Sequence, residues 1–455
     1  MQPNQTSSNQ ERVATFAQNH QTILSVLKGP RTLHADKGEE PDLTFSLERV
    51  IVDRETNEPV PFEGDTGIEA LLGAIAQDWP TFAKVEDEGH LVGLFGEVNF
   101  GDHMVGLKAS LDAGGQLITT AGPSPSVADL SATINTFDRE LHTAALSLGM
   151  NYQLLAEGYN PLASSPLDIP LVPQTRWTLL TAHLAQTGRY ARDAMRCACS
   201  TRIAVEHNGD RSAIEAFRLA TALSPVLCFL TDNVRSFRGN GARRSPRMVR
   251  SVIWDEVDPE RCGVVPGTFR YGFSLDAYLS WLESRQTILF AADDGTMVST
   301  GKNRTRALLE ERHLSPTEAE GLLHTVYPCA RLMEGVIELP FADSLRPRMA
   351  VGYLAFVKGL FCSGLAVDTA FSCLGNVADG DVHEAFLALR RDGWDATVYG
   401  KNAVELVDEL LSIARSSLKD DYERHVIDNI AEQWEVRMVP RDTFIHQEIK
   451  ESRGW

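Results

Sequence analysis

Two glutamates stand inside apolar runs where a carboxylate can face a cleft. Glu48 sits between Leu47 and the Val50-Ile51-Val52 run, and Glu338 follows Val336 and Ile337 and precedes Leu339. Both runs read as strands. A strand sends alternate side chains to one face, so a carboxylate there can hold a divalent cation. The same spacing also describes the polar face of a half-exposed strand. A second group is cationic: Arg235, Arg238, Arg243, Arg244, Arg247 and Arg250 crowd one stretch punctuated by Gly, Ser and Pro. Guanidinium forks match phosphate and carboxylate oxygens. The competing reading is a solvated loop whose arginines pair with surface acids. Cys197-x-Cys199 has no second Cys or His pair at zinc spacing and reads as two buried thiols. Gly239-Asn240-Gly241 lacks a preceding strand and a third glycine, so it reads as a loop. No P-loop, His-Glu-x-x-His or Gly-x-Ser-x-Gly motif occurs.

These groups belong to a chain of 455 residues with 43 Lys+Arg against 62 Asp+Glu, a formal net charge of −19. At 43% hydrophobic, it has enough apolar material for a sizeable core, which excludes disorder over most of its length. The acid excess argues against a protein that coats nucleic acid, while a nucleotide site needs only a few local cations. The first ten residues contain no apolar signal-peptide core. The longest apolar stretch, Met349 to Leu374, carries Lys358 and Asp368 and reads as a buried helix, not a membrane span. The 7 cysteines are scattered and odd in number, which suits reduced thiols and a cytoplasmic protein.

The elements that must position the chemistry follow from periodicity. Residues 1–10 read as a polar tail, a helix follows through Ile23, Val26 and Leu27, and Gly29 to Asp42 reads as a connector. Leu43 to Val52 is a strand, and Gly67 to Trp79 a helix. His90 to Thr120 holds short strands, with a turn at Asp112-Ala113-Gly114-Gly115. Val127, Leu130, Ile134, Phe137, Leu141 and Leu148 fall on one helical face, with Ser124 as cap, Pro125 in the first turn and Gly149 as the stop. Cys199 to Glu206 reads as a strand, and Ala213 to Leu223 as a helix that meets Pro225. Ser315, Pro316 and Glu318 open a helix running to Leu323. Ala330 to Pro340 reads as a strand, with a turn at Asp343 to Pro347 and mostly helix beyond. The mixture is too irregular for a doubly wound sheet. It predicts an α+β fold, with helices around a largely antiparallel sheet.

From about residue 43 onward the chain resembles the plant and bacterial glutamate–cysteine ligases and their carboxylate–amine ligase relatives. The resemblance rests on VDRETNEPVPFEGDTGIEALL (52–72), VGLKASLDAGGQL (105–117), MRCACSTRIAVEH (195–207), FRLATALSPVL (217–227), RSVIWDEVDPERCGVVPG (250–267) and VIELPFADSLRP (336–347), in order and at similar spacing. It implies a single domain over 43–455 after an N-terminal segment of 1–42. It also implies a glutamine synthetase-like catalytic fold, in which a curved antiparallel sheet forms a funnel inside a coat of helices. The implied activity is ATP- and magnesium-dependent: a γ-carboxylate becomes an acyl phosphate, and an amino-acid amine displaces the phosphate. On this resemblance, Glu48, Asp112 and Glu338 are the candidate metal ligands. Arg202 and Arg250 are the candidate catalytic contacts to phosphate or carboxylate, with Gln116 beside them in substrate or nucleotide binding. The implied partners are small amino-acid substrates, with no nucleic acid and no membrane.

The chain departs from the family's pattern at the chemistry. Ser46 stands where the first glutamate of a Gly-x-Glu-x-Glu strand is expected, and Ile118 replaces a glutamate after the Gly-Gly-Gln turn. Arg202 replaces Gln or His, and Pro340 replaces the arginine of a Glu-x-Arg block. These changes subtract carboxylates and add a guanidinium that can take the place of one magnesium ion. Two readings stay open: a ligase with a rearranged metal shell, or a non-catalytic relative that binds an anionic metabolite or a partner protein. A third, weaker one makes Cys197 or Cys199 a nucleophile beside Arg202.

Overall fold

Residues 4–29, 40–241, 243–291, 297–300 and 304–438 are described by the structure, a computed structural model. Its frame is an open antiparallel sheet. Seven of its strands are β1 (Leu43–Asp53), β2 (Ala83–Asp87), β3 (His90–Asn99), β4 (Met104–Leu111), β5 (Leu117–Ser124), β6 (Tyr152–Leu155) and β7 (Ser200–Glu206). The remaining two are β8 (Arg331–Leu332) and β9 (Val336–Asp343). The order is β8-β9-β7-β1-β5-β4-β3-β2, and β6 pairs with the far end of β1. Every pairing along this path is antiparallel, as the α+β expectation requires.

Register assigns the two faces. Ser46 opposes Thr120 and Arg202, Glu48 opposes Ile118, and Glu338 opposes Ala204 and Arg331. All these side chains therefore share one face with Lys108 and Ser110 of β4. The other face presents Phe45, Leu47, Leu107, Ala109, Ile203, Val205, Ile337 and Leu339, all buried. That face packs on α3 (Val127–Ser147), α6 (Gly209–Thr231) and α11 (Pro347–Phe361). The chemically loaded face is instead roofed by α4 (Thr175–Leu184), α5 (Ala191–Arg196) and α7 (Val249–Asp255), which share their own apolar cluster.

Several local expectations need correction. Helix α1 runs Asn4–Lys28, so most of the expected tail is helical; its Asn19 bonds Leu309 O, Arg312 O and Leu314 N, and so holds it to the body. Of the connector, residues 30–39 lie outside the described residues. The cap of α3 is Ser126, not Ser124: Ser126 Oγ accepts from Asp129 N, while Ser124 Oγ accepts from Ser126 N one turn earlier. Pro125 consequently precedes the helix. Helix α6 runs through Pro225 to Thr231, because nearly every residue in its second half is buried and tertiary packing outweighs the lost backbone bond. The strand expected over Ala330 to Pro340 is a hairpin, β8 and β9. Strand β9 continues past Pro340 through an irregularity between Leu339 and Ala342.

The apolar stretch Met349 to Leu374 is two helices, α11 and α12 (Gly364–Leu374), bent by 94°. Helix α6 is apolar and long enough to cross a membrane, but most of it is buried inside the molecule as a core helix. The capping box at Ser315–Glu318 forms as expected.

Candidate active site

The hairpin from β4 to β5 brings Asp112 to the mouth of the loaded face. Asp112 N donates to Gln116 O and Gly115 N to Asp112 O, closing a turn whose Gly115 has a φ of 79°. Gly114 is pressed onto the end of α5: a Cβ there would meet Arg196 O at 2.3 Å. Gln116 fastens this contact. Its Oε1 accepts from Gly114 N, and its Nε2 donates to Ala198 O and Met195 O. The amide expected to touch substrate is thus occupied in shaping the turn, and Gln116 does not line the cavity described next.

Glu48, Asp112, Arg202 and Arg250 line one cavity of about 140 Å³ between the sheet and its roof of α4, α5 and α7. Glu48 is 4% exposed. Ser200 donates to its Oε2 from amide (3.0 Å) and hydroxyl (2.8 Å), while Oε1 has no partner among the described residues. Burial, then the charge of Asp112, push its carboxyl up to about 8, against the pull of Arg202. Asp112 Oδ1 accepts from Ala113 N at 2.7 Å. These two carboxylates converge. A divalent cation bridging them would satisfy Oε1 and relieve their repulsion, and one or two carboxylates plus phosphate oxygens suit magnesium. The donor set therefore fits one ion.

Glu338, the third expected ligand, is engaged elsewhere. Both its oxygens accept from Arg331 Nη2 at 2.6 Å, and it does not line the cavity. Burial alone would raise its carboxyl, but Arg331 and then Arg202 outweigh burial and hold it below the usual glutamate value. Ser46 bonds Thr120 through their hydroxyls at 2.8 Å.

The arginines divide. Arg202 lines the cavity half-buried and makes no side-chain hydrogen bond or ion pair among the described residues. Arg250 is 3% exposed and clamps the irregular part of β9. It donates to Phe341 O, Ala342 O and Pro340 O at 2.7–2.9 Å, leaving Nε without a partner. The rest of the Arg235–Arg250 stretch does not converge on the cavity. Arg235 pairs with Glu157, Arg238 with Asp193, and Arg247 donates to Arg390 O and Arg391 O.

Sequence reasoning missed most of the cavity wall. Arg176, Trp177, Tyr327 and Arg331 all line it, each with a buried nitrogen or hydroxyl that has no partner. Burial pushes the Tyr327 hydroxyl up to about 12. His324 also lines the cavity, and burial followed by Arg331 and Arg176 drives its imidazole down to about 3, so it is neutral. No motif marks these residues; they meet only because α4 and the segment from the end of α10 (Pro316–Leu323) to Tyr327 come against the sheet beside its edge strand β8. The cavity thus combines two carboxylates, Glu48 and Asp112, with four guanidiniums, Arg176, Arg202, Arg250 and Arg331. The thiol alternative fails on geometry: Cys197 and Cys199 are fully buried, neither lines the cavity, and burial pushes Cys197 up to about 12 and Cys199 well above the ordinary thiol value.

Among proteins of known function, the chloroplastic glutamate–cysteine ligase of Brassica juncea is 26% identical over 272 residues, 57% of this chain and 52% of the relative. That of Arabidopsis thaliana is 26% identical over 271 residues, 57% of this chain and 51% of the relative. The chain therefore spans about half the length of these curated relatives. A bifunctional glutathione synthetase from Pasteurella multocida aligns with 93% of this chain and 50% of its own, at a TM-score of 0.43 and 9% identity, a faint likeness. The expected resemblance is met at the level of the family: residues 46–431 match glutamate-cysteine ligase family 2 (GCS2), and the chain belongs to that family.

Proposed function

We propose that the protein is an ATP-dependent carboxylate–amine ligase that joins an acid, activated as its acyl phosphate, to an amino-acid amine. The observation that carries this reading is the convergence of Glu48, with its unpartnered Oε1, and Asp112 on one cavity with the unpaired Arg202. Glu48 and Asp112 would hold magnesium, which when bound neutralises phosphate charge. Arg202 contacts the phosphoryl group or the acid's carboxylate, and its fixed charge takes over part of what further carboxylate-bound metal would do. Arg250 holds the wall at Pro340–Ala342 and positions rather than contacts. Trp177, Trp254 and Tyr327 exclude water from the activated acid. Glutamate and cysteine are the natural first substrates to test, given the names of the relatives. A reducing compartment such as the cytosol suits the unpaired thiols.

The second reading, a non-catalytic relative that binds an anionic metabolite, is favoured by one observation. The Glu338 carboxylate is locked to Arg331 and Ser46 to Thr120, which leaves two carboxylates for metal. Calorimetric titration with a non-hydrolysable ATP analogue, with and without magnesium, separates the two. Magnesium-dependent binding supports the ligase. Absence of binding in both conditions overturns it in favour of the anion binder.

A further inference from the structure

Consecutive residues of β1 point to opposite sides of the sheet, and Arg49 points away from Glu48 into a second cavity of about 680 Å³. This cavity lies on the α3 side, between α3, β6 and the start of α11. Its wall is unusual for a molecule of net charge −19. Four guanidiniums, Arg49, Arg54, Arg235 and Arg346, face two carboxylates, Asp138 and Glu157. Two of the four are committed within the protein. Buried Arg49 forms a fork to Asp138, at 2.7 and 2.6 Å, and Arg235 donates to Glu157 Oε1.

The other two, Arg54 and Arg346, are exposed and make no side-chain hydrogen bond or ion pair among the described residues. Arg346 is also the N-cap residue of α11, a helix of 15 residues whose N-terminal end adds partial positive charge at the same wall. Deeper in, two side chains more than nine-tenths buried are left incomplete: among the described residues Arg49 Nε has no acceptor and Glu157 Oε2 has no donor. The wall therefore offers unpaired positive charge at its rim and one unpaired acceptor at its base.

We propose that this cavity is a second ligand site, separate from the one under Glu48, and that it takes a small dianion carrying a hydrogen-bond donor. Arg54 and Arg346 bind the dianionic group, and Glu157 Oε2 accepts from the ligand's hydroxyl or ammonium. A phosphate monoester and a dicarboxylate that also bear a hydroxyl or ammonium share this chemistry.

The test is calorimetric titration of the full chain with inorganic phosphate, a nucleoside monophosphate and malate, without magnesium. The variants are Arg54→Gln/Arg346→Gln, both at exposed positions, and Arg202→Gln as a control in the other cavity. At least one probe is expected to bind. The double variant should weaken it by about tenfold or more, and Arg202→Gln should leave it unchanged. Preference for the two phosphates over malate supports a phosphate monoester; the reverse supports a dicarboxylate. Binding that the double variant leaves intact, or that Arg202→Gln abolishes, overturns the site, as does the absence of binding by all three probes. The measurement uses neither ATP nor metal, so its failure leaves the ligase reading standing, and the failure of that reading leaves this one.

Discussion

Glu48 is held in two ways that pull against each other. Its Oε2 is fully engaged by Ser200, while Oε1 is buried without a partner and the neighbouring charge is Asp112. A neutral isostere keeps the Ser200 bonds and replaces a carboxyl that burial and Asp112 already drive toward its neutral form. Glu48→Gln is therefore expected to melt at the same temperature as the parent or higher, yet to lose magnesium-dependent binding of an ATP analogue. A lower melting temperature with binding retained would refute the metal assignment. Glu338 predicts the opposite pairing of effects. It is Arg331's ion-pair partner in a setting where both side chains are largely buried. Glu338→Ala leaves a guanidinium without its counter-charge, at a cost of roughly 3–5 kcal/mol. Urea denaturation should show that loss, and Arg331→Leu in the same chain should recover most of it. If Glu338→Ala unfolds at the parental urea concentration and only magnesium binding suffers, Glu338 is a ligand after all. Both glutamates were legible as strand carboxylates, but sequence cannot tell them apart. Their difference is cross-strand: Arg331 lies directly opposite Glu338, whereas the residue opposite Glu48 on β5 is Ile118.

Among the elements, those with a local signature were the ones read correctly. The capping box at Ser315, the turn at Asp112–Gly115 and the alternation of β1 and β7 all act within a few residues. Apart from the cap of α3, which lies two residues later than its local signals suggest, errors fall where distant packing decides. Pro225 sits inside α6 because the core surrounds it, and the polar start of α1 is helical in a segment whose later residues dock on the body. That docking gives a pH prediction. His20 on α1 contacts Glu283 at 2.7 Å and Asp276 at 3.2 Å on α8 (Leu275–Glu283). Burial lowers its pKa, but the two carboxylates outweigh burial and raise it. A raised histidine stabilises the fold fully below its unfolded value of 6.5, and the contribution fades as pH rises through the folded value. Glu283 is itself raised, by burial, so it too binds its proton more tightly when folded and acts in the same direction. Thermal melts should therefore show the parent losing stability relative to His20→Gln as pH rises above 6.5. A parent and variant that shift in parallel across that range would exclude this contact as the cause.

At the scale of the whole molecule, the acid excess and the guanidinium-rich cavities oppose each other, and distance decides between them. The net charge of −19 is spread over the chain and repels an approaching polyanion from afar. Arg176, Arg202, Arg250 and Arg331 act only inside the cavity under Glu48. Salt with a Debye length of about 10 Å at 0.1 M screens the spread field far more than contacts within a buried pocket. The association rate of an ATP analogue should accordingly rise as sodium chloride goes from about 0.01 M, where the Debye length is about 30 Å, to about 0.1 M. The dissociation rate should change little. This is the reverse of the usual behaviour of anion sites on basic proteins, where salt slows association. Stopped-flow binding at several salt concentrations measures both rates. An association rate that falls with salt would mean that the cavity's own arginines set the field at its mouth. Arg202→Gln should then abolish the salt effect, whereas under the whole-molecule account it weakens binding and leaves the positive salt slope in place.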